Sequence, residues 1–165
     1  MPDWNEIVRL NAASVANAAY RIIGNLSDAE DVSQEVFAEA FRKWNLSQDQ
    51  NWAGVLKRMS VCRAIDFLRK QRPTTLLPVE TLSTKSTCPE AGAISRELEN
   101  RLRVAVGKLP PRESEVFCLV FFEQLSHQQV ATELGISRSA VAKSLSNART
   151  KLEIAFREIS TGESR

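Results

Sequence analysis

The chain has 165 residues, 43% hydrophobic and 25% charged, with a formal net charge of +2. This is the composition of an ordinary globular protein, enough for one domain or two very small ones, and its charge is too slight to mark a nucleic-acid binder unless the bases cluster. No apolar run approaches the roughly 18 residues of a membrane span, the opening MPDWNEIVRL lacks the layout of a signal peptide, and Cys62, Cys88, Cys118 and the lone His127 form no metal-ligand spacing; a cytoplasmic protein without metal or cofactor is expected.

Scarce glycine and the absence of sustained two-residue alternation point to helix throughout. The first helix covers IVRLNAASVANAAYRIIGN, with Ile7, Leu10, Val15, Ala18, Ile22 and Ile23 as its core face. Gly24 and Asn25 end it, and Ser27 or Asp28 can cap the next. The second, DAEDVSQEVFAEAFRKW, places Val32, Val36, Phe37, Ala40, Phe41 and Trp44 on one arc and Asp28, Asp31, Glu35 and Glu39 on the other side. After the polar NLSQDQN, a third helix, WAGVLKRMSVCRAIDFLRKQR, carries Lys57, Arg58, Arg63, Arg69, Lys70 and Arg72 against the single acid Asp66. A nearly neutral sum thus conceals two surfaces of opposite sign.

Residues 73–94 break the pattern with Pro73, Pro78 and Pro89 among Thr and Ser, and read as a linker. Fully extended, it would span at most about 75 Å. Helical patterning resumes in SRELENRLRVAVGKL and, after Pro110 and Pro111, in RESEVFCLVFFEQL, where Val116, Phe117, Leu119, Val120 and Phe121 are core candidates. Cys118 lies in that apolar run and is expected to be buried, whereas Cys88 is the thiol expected to be exposed. The most diagnostic unit follows, LSHQQVATELGISRSAVAKSLSNARTKL. Ser126 can cap a helix ending at Leu134, Gly135 suits a left-handed turn, and Ser137 caps a second helix. Val130, Ala131 and Leu134 would pack on Ile136, Val141 and Leu145, giving a helix-turn-helix. Its second helix would enter a DNA groove with Arg138, Ser139, Lys143, Ser144, Asn147, Arg149 and Lys151. The fold class is therefore all-α: two small helical domains (1–72 and 95–165) joined by the linker 73–94.

Three blocks, GNLSDAEDVSQEVFAEAF, LKRMSVCRAIDFLRKQR and LPPRESEVFCLVFFEQLSHQQVATELGISRSAVAKSLSNARTKL, make the chain resemble bacterial RNA polymerase sigma factors of the extracytoplasmic-function group in the sigma-70 family. The resemblance implies core RNA polymerase and promoter DNA as partners, admits an anti-sigma factor, and calls for no membrane, small-molecule substrate or catalysis. It implies that Asp31, Gln34 and Glu35 dock on a coiled-coil of the largest polymerase subunit. It also implies that Arg58, Arg63, Arg69, Lys70 and Arg72 take phosphates of the melted upstream element, with Asn45 to Trp52 as the base-reading loop and Trp52 mainly a packing anchor. Residues 1–72 then correspond to sigma region 2 and residues 95–165 to region 4.

The sequence departs from the family in places. Cys62 stands where asparagine is common, the loop NLSQDQN is short, and Gln129 replaces a frequent glutamate. Ala140, Ala142, Ser144 and Asn147 leave the recognition helix less cationic than is usual, with Lys143 suited to guanine and Asn147 to adenine. His127 reads as an ordinary solvated histidine. A stand-alone helix-turn-helix regulator is the alternative, but it gives the acidic second helix no use. A nucleic-acid enzyme would need a metal cluster, phosphate loop or activated nucleophile, none of which the sequence carries.

Overall fold

The computed structural model describes residues 3–44, 50–71 and 89–162. The described residues form seven α-helices: α1 Trp4–Ile23, α2 Leu26–Trp44, α3 Trp52–Lys70, α4 Pro89–Lys108, α5 Pro111–Phe121, α6 His127–Leu134 and α7 Arg138–Gly162. The expected all-α class holds. Helices α1, α2 and α3 pack as one bundle and α4 to α7 as another, and α3 also packs on α4 and α5. Buried side chains from both halves join in one connected core.

Helix α1 buries Ile7, Val15, Ala18, Ala19, Ile22 and Ile23, a stripe at helical spacing. It stops at Gly24, which takes φ +78° and donates its N–H to the Tyr20 carbonyl. The next helix is capped by Asn25 rather than by Ser27 or Asp28: its side-chain oxygen accepts the Asp28 N–H at 3.0 Å. An asparagine directly after the glycine already stands in the right place to do so. Helix α2 buries Ala29, Val32, Val36 and Ala40. Trp4 meets Phe37, Phe41, Trp44 and Trp52 edge-on or tilted, closing one end of the first bundle.

Three expected core residues lie outside: Leu10 is 66% exposed, Phe121 57% and Phe41 46%. Each sits at the margin of its apolar arc, where burial depends on whether a neighbouring helix reaches that far. Helix α4 begins at Pro89, inside the segment 73–94. Proline is tolerated in the first turn of a helix, where its missing N–H would have no intrahelical partner. The rest of that segment, with Cys88 and Arg72, lies outside the described residues, as do residues 45–49 of the expected base-reading loop.

Helix α3 is the hub. Leu56, Val61, Ala64 and Ile65 are buried, and Ser60 donates its hydroxyl to the Val15 carbonyl at 2.8 Å. Gly107 lets α4 come close: a Cβ there would stand 3.3 Å from Leu68 Cβ and backbone. Arg63 ties α3 to α2 by donating to the Glu39 carboxylate, which also accepts from Lys43 at 2.8 Å. The hydrogen bonds from Lys43 and then Arg63 hold the Glu39 carboxyl down at about 2.

Two outcomes follow from these contacts. Gly24→Ala and Gly135→Ala both force alanine into the left-handed region, at about 1–2 kcal/mol each. At Gly135 an added Cβ meets nothing, whereas at Gly24 it meets the Arg103 guanidinium. Displacing Arg103 breaks its hydrogen bond to the Ile22 carbonyl. Denaturant titration should therefore show the larger loss for Gly24→Ala. Glu39 has a folded-state pKa below its ordinary value, so its contribution is present above about 4.5 and is lost as pH falls toward about 2. Glu39→Gln should make stability less steeply pH-dependent across that window, measured by denaturant midpoints at successive pH values.

Candidate protein and nucleic-acid interfaces

The acidic face of α2 stands free of the core. Asp31, Gln34 and Glu35 are all exposed, opposite the buried Ala29, Val32 and Val36. Glu35 lines a shallow concavity with Ala38, Glu39, Arg42, Lys43 and Arg63. The face is thus not uniformly acidic: Glu39 is neutralised by two cations, while Asp31 and Glu35 project beside them.

The cations of α3 are distributed differently from expectation. Arg58 donates from Nε to Glu115 Oε1 and from Nη1 to the Glu133 carbonyl, both at 3.2 Å. Arg69 donates to the Leu109 carbonyl at 3.0 Å and to Ser114 Oγ at 2.9 Å. Arg63 is held by Glu39, and Lys70 is exposed in the last turn. Of the residues expected to meet phosphates together, Arg58 holds α5 and α6, Arg69 holds α5 and the turn before it, and Arg63 holds α2. Their acceptors on α5 and its flanks lie tens of positions away in the chain, beyond any helical spacing rule.

Two further cations enter that contact. Arg21 of α1 and Lys57 of α3 each stand 3.0 Å from one oxygen of Glu123, whose side chain is only 1% exposed. Arg21 forms a hydrogen bond, and Lys57 an ion pair without hydrogen-bond alignment. Arg21 lay outside the basic helix to which sequence reading confined the cations; only the burial of an acid at position 123 reveals it. Cys62, in the position where asparagine is common in the family, donates to Glu115 at 3.3 Å. Burial first, and then the Glu115 carboxylate, push its thiol up to about 12, so it persists as an unreactive thiol. Cys118 is fully buried, as expected, and burial raises its thiol as well.

The helix-turn-helix assembles as its sequence dictates. Ser126 and Gln129 form a reciprocal capping box at the start of α6. The Gln129 amide oxygen accepts the Ser126 N–H at 2.8 Å, doing the work of the more usual glutamate. Gly135 takes φ +63° and Ser137 accepts the Ala140 N–H at 3.1 Å to start α7. Val130, Ala131, Leu134, Val141 and Leu145 are buried, while Ile136 is half-buried against them. His127, in the first turn of α6, is half-buried.

Along α7, Arg138, Ser139, Lys143, Asn147, Arg149 and Lys151 are exposed, and Ser144 is half-buried. Lys143 and Asn147 project from one face, which they share with the exposed Ser146 and Thr150 at i+3 and i+7 from Lys143. Sequence reading left out both residues, although helical spacing alone could have found them. Lys151 pairs with Glu113 of α5 at 2.8 Å. Arg149 lies at the flank, beside Phe117 and Phe121. Among the described residues, no His, Cys, Asp and Glu cluster could hold a metal, and no helix is long and apolar enough to cross a membrane.

The family model of sigma-70 region 2 matches residues 7–74, and that of sigma-70 region 4 matches residues 99–152. The extracytoplasmic-function RNA polymerase sigma factor SigE of Mycolicibacterium smegmatis is 30% identical over 156 residues, which are 92% of this chain and 61% of that protein. SigW of Bacillus subtilis, another extracytoplasmic-function sigma factor, is 25% identical over 93% of this chain and 89% of its own. The structure of CnrH in complex with the cytosolic domain of CnrY matches at TM-score 0.60 and 22% identity, covering 94% of this chain and 88% of that one, and supports the fold. With both regions present in order and together covering most of its residues, the chain belongs to the sigma-70 family, among the RNA polymerase sigma factors of the extracytoplasmic-function group.

Proposed function

We propose that this chain is a non-catalytic specificity subunit that binds core RNA polymerase in the cytoplasm and directs initiation at particular promoters. The observation that carries the reading is the exposed Asp31, Gln34 and Glu35 face of α2, on the same chain as a complete helix-turn-helix. Acids repel DNA phosphates, so the α2 face suits a protein partner, and a stand-alone regulator would have no use for it. The recognition face of α7 offers Lys143 and Asn147 to base edges, flanked by Arg138 and Arg149 for phosphates. The cations of α3 are assigned to the melted upstream element. The segment read from sequence as 73–94 is assigned as the tether between two promoter-binding halves. An anti-sigma partner is proposed from family membership alone.

Two experiments test this assignment. Reversing charge with Asp31→Lys and Glu35→Lys should abolish copurification with core polymerase while leaving the helical circular-dichroism spectrum unchanged, since both side chains are exposed. Copurification at the wild-type level would remove α2 as the docking face. On double-stranded promoter DNA, Asn147→Ala should change base preference, losing about 1–3 kcal/mol of discrimination at one position. Arg149→Ala should instead weaken all sequences alike and lower the salt dependence by about one counterion. A uniform loss from Asn147→Ala would count against base reading there.

A further inference from the structure

Helix α4 is longer than the core it serves. Its apolar stripe runs through Ile94, Leu98, Leu102 and Ala105 at helical spacing. Ala105 is buried and Leu102 half-buried against the core, whereas Ile94 is 66% and Leu98 50% exposed. Every residue from 94 to 100 is exposed, so among the described residues none closes over the stripe here. Along the helix these turns have the pairs Glu97–Arg101 and Glu99–Arg103, and pairs of that kind add little. A short helix without tertiary contact is marginal in water.

The chain on either side limits what can cover the stripe. Near the end of α3, Leu68 lies against Gly107, and Arg69 donates to the Leu109 carbonyl. Helix α3 therefore finishes beside the C-terminal end of α4. Pro89 stands at the opposite end of α4, about 27 Å away at about 1.5 Å per residue. The intervening residues 72–88 have to return the length of the helix. A relaxed coil of that length averages about 23 Å between its ends, and full extension gives at most about 60 Å. That is a path beside α4, with slack to reach any of its faces. The large apolar side chains of this segment are Leu76, Leu77, Val79 and Leu82. From Pro89 the chain reaches back to Leu82 over at most about 23 Å, while Leu98 lies only about 14 Å along the helix.

We propose that the exposed Ile94 and Leu98 stripe of α4 is a docking site for residues 76–82 of this same chain. A free partner needs about 20–30 residues a side for a stable interface, far more than this patch offers. A segment tied to the helix by a short tether is held at a millimolar effective concentration, so a few contacts suffice. Docking supplies the tertiary contact that the first turns of α4 otherwise lack. The segment and the start of α4 are then one cooperative unit, and whatever draws the segment away loosens those turns. Neither polymerase nor promoter binding enters this inference.

The test is amide hydrogen exchange of residues 94–100 in the full chain, read against the buried residues of α5, which report global opening. Leu76→Ser, Leu77→Ser, Val79→Ser and Leu82→Ser together leave the sequence of α4 untouched, and should speed exchange at 94–100 about tenfold relative to α5. Ile94→Gln with Leu98→Gln introduces good helix formers and should have the same effect. Both sets combined should do no more than either alone, because they remove the two sides of one contact. Unchanged exchange after the serine replacements overturns the proposal, and so do effects that multiply in the combined variant. Protection that rises with protein concentration would identify a second copy of the chain as the occupant, and would overturn it as well.

Discussion

Helix α3 meets α1 and α2 with one side and α4 and α5 with the other, so its residues satisfy two unlike neighbours at once. Toward the first bundle it offers Ser60, bonded to the Val15 carbonyl, and Leu56, Val61, Ala64 and Ile65 along it are all buried. Toward the second it offers Leu68 against Gly107, and the cations Lys57, Arg58 and Arg69 against α5 and its flanks. The apolar contacts supply the driving force, because burial of carbon surface has no desolvation penalty to repay. The ion pairs do something else. A covered carboxylate such as Glu123 roughly breaks even when paired, but becomes costly when its cations are removed. The pairs therefore specify which packing of the halves is allowed more than they deepen its stability.

Charge is kept apart on the first bundle by the same economy. Asp31 and Glu35 are left to water on α2, while Glu39, one turn beyond Glu35, is taken up by Lys43 and Arg63. That clamp separates the acidic face of α2 from the cationic side of α3 with a neutralised strip. An acidic surface and a basic one can then coexist within a single bundle without cancelling each other.

The second half shows how little freedom a helix-turn-helix allows. Ser126, Gln129, Gly135 and Ser137 each settle one local backbone problem, and the buried Val130, Ala131, Leu134, Val141 and Leu145 settle the angle between the helices. What varies is the outward face of α7. Here it carries Ser139, Lys143, Ser146, Asn147 and Thr150, a face with few charges and several short hydrogen-bonding side chains.

Features governed by neighbours along the chain were legible from the sequence. They include the helical class, the caps at Ser126 and Ser137, the left-handed glycines, the opposite polarity of α2 and α3, the helix-turn-helix and the family itself. Backbone hydrogen bonding and helical periodicity act over a few residues, and the sequence displays those distances directly. Tertiary structure alone decided that Leu10, Phe41 and Phe121 lie outside the core and that Arg21 and Lys57 converge on Glu123. It also decided that Arg58 and Arg69 hydrogen-bond to Glu115 and Ser114 of α5. These outcomes depend on how two helical bundles dock across separations such as the 57 positions between Arg58 and Glu115, and no periodicity encodes that distance. Charge along the chain reports how many cations α3 holds; only packing reports which partner they hold.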